Sequence, residues 1–349
     1  MTTAYNTAPP ATTSTCSRPL HAKILATASA LPDQVISNQQ IIERYHHKVA
    51  DRAIRKMTGV VERRVVPRGV ADTDLMVTAA KSCLQRAGIA VDSLGKLIVT
   101  RFLGDRMLPM TAANLQKKLD CTVAIQSFDI SGGVHSFMEA LHTAACAVES
   151  DGLPVLVVSG GIVNRLVSRT DPAKAFLFGD GAGAVLLGPA EVPRFLASSS
   201  FCNIAFLENA TAFRLKEHVT EEMYEKNRYD PLFDLYEQKN WKPATTYILD
   251  AMHRSVAALL SDAGIGAEEV DLWLITENEQ RLWRAIVDTL DIPYDKTHSL
   301  LSTLGNTMSA MLPILLNDAM EKGMAQKGSK VVLLSLGEGI KGGGMLITL

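Results

Sequence analysis

One glycine-rich segment has residue types suited to holding the oxygen of a carbonyl group. Residues 128–137 read FDISGGVHSF, and an apolar periodic stretch follows them. Gly132 and Gly133 permit close approach of the backbone at the start of the predicted helix. The N-terminus of that helix offers N–H groups to an oxygen atom. The segment therefore predicts binding of a carbonyl group without a covalent bond to its carbon.

Within this segment, three polar side chains flank Val134: Ser131, His135 and Ser136. All three are poor candidates for a catalytic nucleophile. A serine needs a base within hydrogen-bond reach before it can attack, and Ser131 lies where a helix N-cap is expected. On a helix, His135 points about 100° away from Val134, and a histidine in such a place is more often a core or interface residue than a catalyst. Ser136 is small and suits close packing.

Two segments half a chain apart have the same spacing. Residues 84–100 and residues 260–276 each place Ala-Gly-Ile after a helical pattern and before an apolar run, at an offset of 264 − 88 = 176. Glycine after such a pattern indicates a helix C-terminus, and the short apolar run predicts a buried strand. A single joint of this kind is common, but two at matched spacing indicate a duplicated α/β unit.

Further apolar runs extend this pattern into a layered α/β architecture. A helix over 134–150 and strands over 155–159 and 331–335 are predicted, with the strands buried on both faces. Residues 200–245 are rich in charged and aromatic side chains and are either a functional cap or a solvated surface segment. The predicted layout is a disordered leader at 1–20, an N-terminal half at 21–195, an insertion or cap at 196–245 and a C-terminal half at 246–349.

The composition narrows the class of protein. The 349 residues are 47% hydrophobic and 21% charged, with a net charge of −2, which is typical of a globular protein and gives no reason to expect nucleic acid or a membrane as partner. Five scattered cysteines favour a reduced, cytoplasmic protein without disulfides or a metal site. No apolar run reaches the length of a membrane span.

The ordered motifs resemble β-ketoacyl-ACP synthase III of the thiolase superfamily, from about Lys23 to the C-terminus. They are residues 58–64, 109–116, 128–137, 178–187, 305–307 and 337–344. The resemblance implies a five-layered αβαβα fold built from two duplicated halves, and a dimer. It implies no bound cofactor and an acyl-CoA or acyl-carrier-protein thioester as substrate.

The resemblance also shows where this chain departs from the family. The nucleophilic cysteine of the family corresponds to Val134, which cannot form a thioester, and the catalytic histidine corresponds to Glu277. The catalytic asparagine is retained as Asn306, and the glycine loop that lends a backbone N–H to the oxyanion reads Gly337-Glu338-Gly339. If both glutamates face the pocket, like charges at 4–6 Å oppose formation of an enolate by roughly 3–4 kcal/mol. The alternative is that they point outward or pair with a basic residue.

The substrate entrance implied by the resemblance is altered as well. The family's adenine-stacking tryptophan and a phosphate-binding arginine correspond to Ala53 and Met57, whereas Arg165 matches a second phosphate-contacting arginine. Met107 and Leu108 belong to a loop that is expected to reach the acyl pocket of the partner subunit. Gly337 and Gly339 are expected to contact the substrate through the backbone.

Two functions remain open on these residues. The first is a synthase III-like subunit without covalent cysteine catalysis, acting as a homodimer or heterodimer in a bacterial acyl-transferring or condensing system of fatty-acid or polyketide type, with an acyl carrier protein as a candidate partner. The second is an active acyltransferase or condensing enzyme with Glu277 as general base and Asn306 as oxyanion donor. The substitutions at Val134, Ala53 and Glu338 favour the first.

Overall fold

The computed structural model describes residues 14–16, 18–67, 69–102, 108–165, 167, 172–203, 212–215, 233–236, 241–337 and 340–349. The strands, in chain order, are β1 Ser14–Cys16, β2 Ala22–Ala30, β3 Val35–Ser37, β4 Glu62–Arg64, β5 Lys96–Arg101, β6 Gln126–Ser131, β7 Val155–Ile162, β8 Asp180–Pro189, β9 Phe195–Cys202, β10 Ala212–Leu215, β11 Phe233–Tyr236, β12 Leu272–Ile275, β13 Lys330–Gly337 and β14 Lys341–Thr348. The helices are α1 Asn38–Tyr45, α2 Asp51–Thr58, α3 Asp72–Ala87, α4 Thr111–Lys118, α5 Ser136–Asp151, α6 Pro172–Ala175, α7 Trp241–Ala263, α8 Gln280–Thr289, α9 Leu301–Leu304 and α10 Met311–Glu321.

Two five-stranded sheets repeat the same topology. Their strand orders are β2-β8-β7-β5-β6 and β1-β9-β14-β13-β12. In each sheet a parallel pair, β5 with β7 or β12 with β13, is followed by two antiparallel pairings. The first sheet gains β6 at one edge and the second gains β1 at the other, so the duplicated core is four strands in each half.

Three layers of helices enclose the two sheets. The largest apolar cluster contains Phe137 and Leu141 of α5, Leu312 and Leu315 of α10, and strand residues of both sheets, so these two helices lie between the sheets. The outer face of the first sheet packs against α3 and α4, and that of the second packs against α7 and α8. The predicted five-layered αβαβα fold is confirmed.

The repeat read from the sequence is confirmed in the backbone. Gly88 and Gly264 follow α3 and α7 with φ of 64° and 67°, a conformation that favours glycine. Their N–H groups donate to Gln85 O and Ser261 O, both at 3.1 Å. Each turn then leads into a strand, β5 or β12, as predicted.

The predicted leader and cap have more regular structure than their composition indicated. Within the predicted leader, Ser14–Cys16 pairs with β9 as an edge strand, and Leu20 bridges to Phe195. The predicted cap begins inside β9, which runs to Cys202 in the second sheet, and ends inside α7, which begins at Trp241. The polar and small residues of β1 and β9 have no strong strand signal, because their pairing depends on strands far away in the sequence.

None of the helices in the described part of the chain has the length and apolar character of a membrane span.

The central layer gives the first prediction. Leu141 is fully buried on α5 between the sheets, so Leu141→Ala is expected to lower the free energy of unfolding by about 2–5 kcal/mol. Leu153→Ala, at a half-exposed leucine after the same helix, is the matched control. Chemical denaturation that gives both variants the same loss would contradict the placement of α5.

Candidate active site

Val134, at the position that the resemblance assigns to the nucleophile, lies in a closed apolar environment. It occupies a 3-10 turn, Gly133–His135, that leads into α5, and it is only 3% exposed. Its cluster of buried neighbours is Val163, Val167, Phe178 and Met308. The position therefore has no nucleophilic atom and very little contact with solvent.

Asp129 fixes the strand that delivers this turn. Its carboxylate accepts hydrogen bonds from the N–H groups of Thr111 at 2.9 Å and Ala112 at 2.7 Å, at the start of α4. Arg101, at the end of β5, donates to the same carboxylate at 2.8 Å. A carboxylate at a helix N-terminus is favourable, and this one ties β5, β6 and α4 together.

Glu277 is a buried carboxyl group that the start of α9 holds in place. It directly follows β12 and Thr276 and is 1% exposed. The Ser299 hydroxyl donates to Oε1, and the Leu300 N–H donates to Oε2 at 2.9 Å. Burial raises the pKa of Glu277 to about 7, against the opposing effect of these donors and of the Leu301 N–H. Within the described residues, Glu277 neither points outward nor has a basic partner.

Asn306 is held by hydrogen bonds on both its backbone and its side chain. Its N–H donates to Leu177 O at 2.8 Å, and its carbonyl accepts from Gly179 N at 3.0 Å. In the side chain, Oδ1 accepts from Met308 N at 2.7 Å and Nδ2 donates to Asn278 O at 3.3 Å. One hydrogen of Nδ2 is used in this way, and no partner for the second lies within the described residues.

The structure brings several of the predicted residues to one place. Asn278, next to Glu277, accepts from Asn306 and donates from Nδ2 to Leu336 O at 3.0 Å. Gly337 follows Leu336 and lies against the Val134 turn, because a Cβ at 337 would come within 2.9 Å of His135 N. Asn306, the segment at Glu277 and Asn278, the Val134 turn and Gly337 therefore converge near the starts of α5 and α10.

Leu108, another predicted site residue, does not join this cluster. Leu108 is 78% exposed at the protein surface. Arg165 ends a 3-10 turn, Val163–Arg165, that follows β7, and its side chain lies outside the described part of the structure. Met107, Glu338 and Gly339 also lie outside the described residues, so their predicted roles and the predicted repulsion between Glu338 and Glu277 stay predictions.

Sequence reasoning missed the residues that close the site. Met308 fills the apolar cluster around Val134 from a left-handed conformation with φ of 56°, and Ser299 binds Glu277 from 22 residues along the chain. Neither has a periodic or motif signal. The positive φ in a non-glycine residue is visible only in the folded backbone.

His135 adds a buried neutral imidazole beside Val134. Burial lowers the pKa of His135 to about 4, Glu139 acts in the opposite direction and Lys341 reinforces the lowering. Its Nδ1 has no hydrogen-bond partner in the described part of the chain. At neutral pH the ring therefore carries no charge, in agreement with a core histidine.

The raised pKa of Glu277 gives the second prediction. A carboxyl group with a folded-state pKa of about 7 and an unfolded value of about 4.3 contributes stability below pH 4 that is lost as the pH rises to 7. Glu277→Gln removes this titration, so the variant is expected to gain about 3 kcal/mol relative to the unaltered chain between pH 4 and pH 8. Chemical denaturation at both pH values checks it.

The control for this measurement is Glu191→Gln, at an exposed glutamate between β8 and β9. For Glu191→Gln, the difference in unfolding free energy from the unaltered chain is expected to be the same at pH 4 and pH 8. If the difference for Glu277→Gln is equally independent of pH, Glu277 ionises normally and the prediction is wrong.

Comparisons with known proteins agree with this fold. The family pattern 3-oxoacyl-[acyl-carrier-protein (ACP)] synthase III matches residues 128–203, and that of its C-terminal part matches residues 260–349. The β-ketoacyl-[acyl-carrier-protein] synthase III of Koribacter versatilis is 29% identical, over 93% of this chain and 97% of its own.

Solved structures are similar over nearly the whole chain. The 3-oxoacyl-[acyl-carrier-protein] synthase III of Aquifex aeolicus has a TM-score of 0.81 and 26% identity, covering 94% of this chain and 100% of its own. The priming β-ketosynthase of the R1128 polyketide pathway has a TM-score of 0.83 over 95% of this chain and 97% of its own, at 22% identity, which bears on the fold alone. The chain belongs to the β-ketoacyl-ACP synthase III-like members of the thiolase superfamily, a family of condensing enzymes.

Proposed function

We propose that this chain is a synthase III-like subunit that does not form a covalent acyl intermediate and that acts in a dimer or heteromeric complex of fatty-acid or polyketide-type metabolism. The observation that carries the proposal is the closed apolar cluster around Val134. Covalent catalysis in a thiolase-type site needs a nucleophile with an activating group within hydrogen-bond reach. Val134 has no such atom, and the carboxyl oxygens of Glu277 are bound to Ser299 and Leu300.

The hydrogen bonds of Asn306 also support this proposal. Its side chain and backbone hold the segment at Asn278, the loop around Gly179 and the turn before α10 together. The asparagine therefore has a structural role that does not depend on catalysis. Its presence is compatible with a chain that has lost the chemistry of the family.

The surface beside β6 supports association with a second thiolase-like chain. β6 is at the edge of its sheet, where the backbone N–H and C=O groups of a strand lack a neighbour. Leu108 and Met110, just before the start of α4 that binds Asp129 of β6, expose large apolar side chains. An edge strand beside exposed apolar groups favours a protein partner, either another copy of this chain or a homologue. The unpatterned cysteines support a reducing, cytoplasmic setting.

The third prediction tests the absence of covalent chemistry. The purified chain is mixed with a panel of acyl-CoA and acyl-carrier-protein thioesters, and its intact mass is measured. No stable adduct is expected, under conditions that acylate an active synthase III. An adduct would refute the proposal, and peptide mapping would then identify the nucleophile.

Val134→Cys is the matched variant for this experiment. A thiol at this position would lie in the same apolar cluster, where burial raises a thiol pKa, as it raises that of Cys83 to about 12. We therefore expect the variant to remain unmodified as well. Acylation of Val134→Cys alone would show that thioesters reach the site and that only the nucleophile is missing.

The fourth prediction concerns the surface beside β6. Leu108→Lys places a charge on the most exposed large apolar side chain of the described residues, and it is expected to shift the assembly towards monomer in light scattering. Leu153→Lys, at an exposed leucine elsewhere, is expected to leave the assembly unchanged. Equal effects of the two substitutions, or none, would place the interface on another surface.

A second candidate function rests on the pKa of Glu277. A carboxyl group with a pKa of about 7 is matched to general base catalysis at neutral pH, and the remaining Nδ2 hydrogen of Asn306 is an oxyanion donor. This enzyme would transfer or condense an acyl group without a covalent intermediate. Product formation that Glu277→Gln abolishes in a folded variant would favour it over the first proposal.

A further inference from the structure

A short surface segment covers Glu277 and is bonded to its carboxyl group. We call this segment, residues 298–304, the lid; it contains helix α9. Ser299 of the lid is exposed, whereas Glu277 beneath it is 1% exposed. Within the described residues, every donor to the Glu277 carboxyl group belongs to the lid, namely the Ser299 hydroxyl and the N–H groups of Leu300 and Leu301. The carboxyl group therefore holds the segment that covers it.

The other contacts of the lid are spread along its length. At its start, His298 Nε2 lies 2.5 Å from Asp318 Oδ2 of α10. In its middle, the Ser302 carbonyl accepts a hydrogen bond from Val61 N at 2.9 Å, and at its end Leu304 packs in a small apolar cluster with a residue of α10. Two of the four residues of α9 are buried. A segment this short, with so little buried apolar surface, opens at a lower free energy than a core strand.

The closed lid penalises the ionised form of Glu277. Removing a carboxylate from water is costly unless a cation pairs with it, and within the described residues Glu277 has no such cation. Burial raises its pKa to about 7, although the lid donors act in the opposite direction. Opening of the lid returns water to the carboxylate. Ionisation of Glu277 and opening of the lid therefore favour one another.

Ionisable groups on the neighbouring elements do not set the charge state of Glu277. In the described part of the chain, its pKa is shifted by burial and by the lid donors, with no contribution from another charge. The His298–Asp318 pair is a second titratable contact of the lid, because the imidazole is charged only if protonated. A histidine variant can therefore separate the two. The neighbouring ionisable groups are Asp318 and Lys322 of α10, Glu62 and Arg63 of β4, His135 and Glu139 near the start of α5, and Glu279 and Arg281 near the start of α8.

We propose that residues 298–304 form a pH-sensitive lid that is closed over neutral Glu277 and opens as this group ionises. An open lid exposes Glu277 and frees the segment that leads into Asn306. Access to the candidate site then increases as the pH rises from acidic to neutral. The lid is independent of whether the chain forms an acyl intermediate.

Hydrogen–deuterium exchange tests the opening of the lid. Peptide mass measurement follows the amides of residues 298–304 at pH 5, 6 and 7, with correction for the pH dependence of chemical exchange. Opening releases a proton in this range, because Glu277 has a pKa of about 7 under the closed lid and an ordinary value of about 4.3 in water. We expect the protection of the lid amides to fall about fortyfold between pH 5 and pH 7. Peptides of β7, which is buried throughout, are expected to stay better protected at each pH.

Two variants identify the group responsible. Glu277→Gln has no proton to release, so the protection of its lid is expected to be the same at all three pH values. His298→Gln keeps the carboxyl group and is expected to retain the full pH-dependent fall. Thermal unfolding of both variants checks that the fold is intact.

Lid protection that does not change with pH in the unaltered chain would overturn the proposal. Protection equal to that of β7 at every pH would also overturn it, because the lid would then open only when the whole chain unfolds. A fall that His298→Gln abolishes would assign the switch to the histidine and contradict the role of Glu277. Should Glu277→Gln fail to fold, the unaltered chain and His298→Gln still decide.

Discussion

The close backbone contact between Gly179 and the segment before Asn306 joins the two halves of the fold. A Cβ at residue 179 would come within 1.7 Å of Leu304 O, so no other residue fits there without a shift of the backbone. The contact is completed by the hydrogen bonds of Asn306 with Leu177 and Gly179. It places Phe178, from the first half, against Met308, from the second, and these two close the cluster around Val134. The geometry of the site therefore depends on a glycine that takes no part in chemistry.

The two halves have the same backbone architecture but different side chains at the ends of equivalent strands. The turns before α5 and α10 are equivalent, since Gly133 and Met308 both have a positive φ, 65° and 56°, and the turns contact one another. At the ends of the equivalent strands β5 and β12, Arg101 binds Asp129 in an ion pair, whereas Glu277 is buried against a helix start. Duplication has preserved the backbone, and the side chains at the strand ends have diverged.

Much of this fold could be predicted from the sequence because the local signals for helix ends and strands agree with the packing of the folded chain. Gly88 and Gly264 terminate helices through a conformation that other residues adopt at a cost, so the repeat was visible without a structure. Within the predicted leader, the strand at Ser14–Cys16 could not be predicted, because β1 has no strong strand composition and owes its structure to pairing with β9. The environment of Glu277 was also beyond sequence reasoning, since Ser299 is brought to it by the packing of α9 and not by any spacing.

The hydrogen bonds of Asn306 show that the presence of this asparagine does not by itself establish a catalytic role. Four bonds, two from the backbone and two from the side chain, make this asparagine part of the joint between the halves. Replacement of this asparagine would remove the two side-chain bonds and would loosen the joint. Its presence is therefore accounted for by the fold, without reference to catalysis.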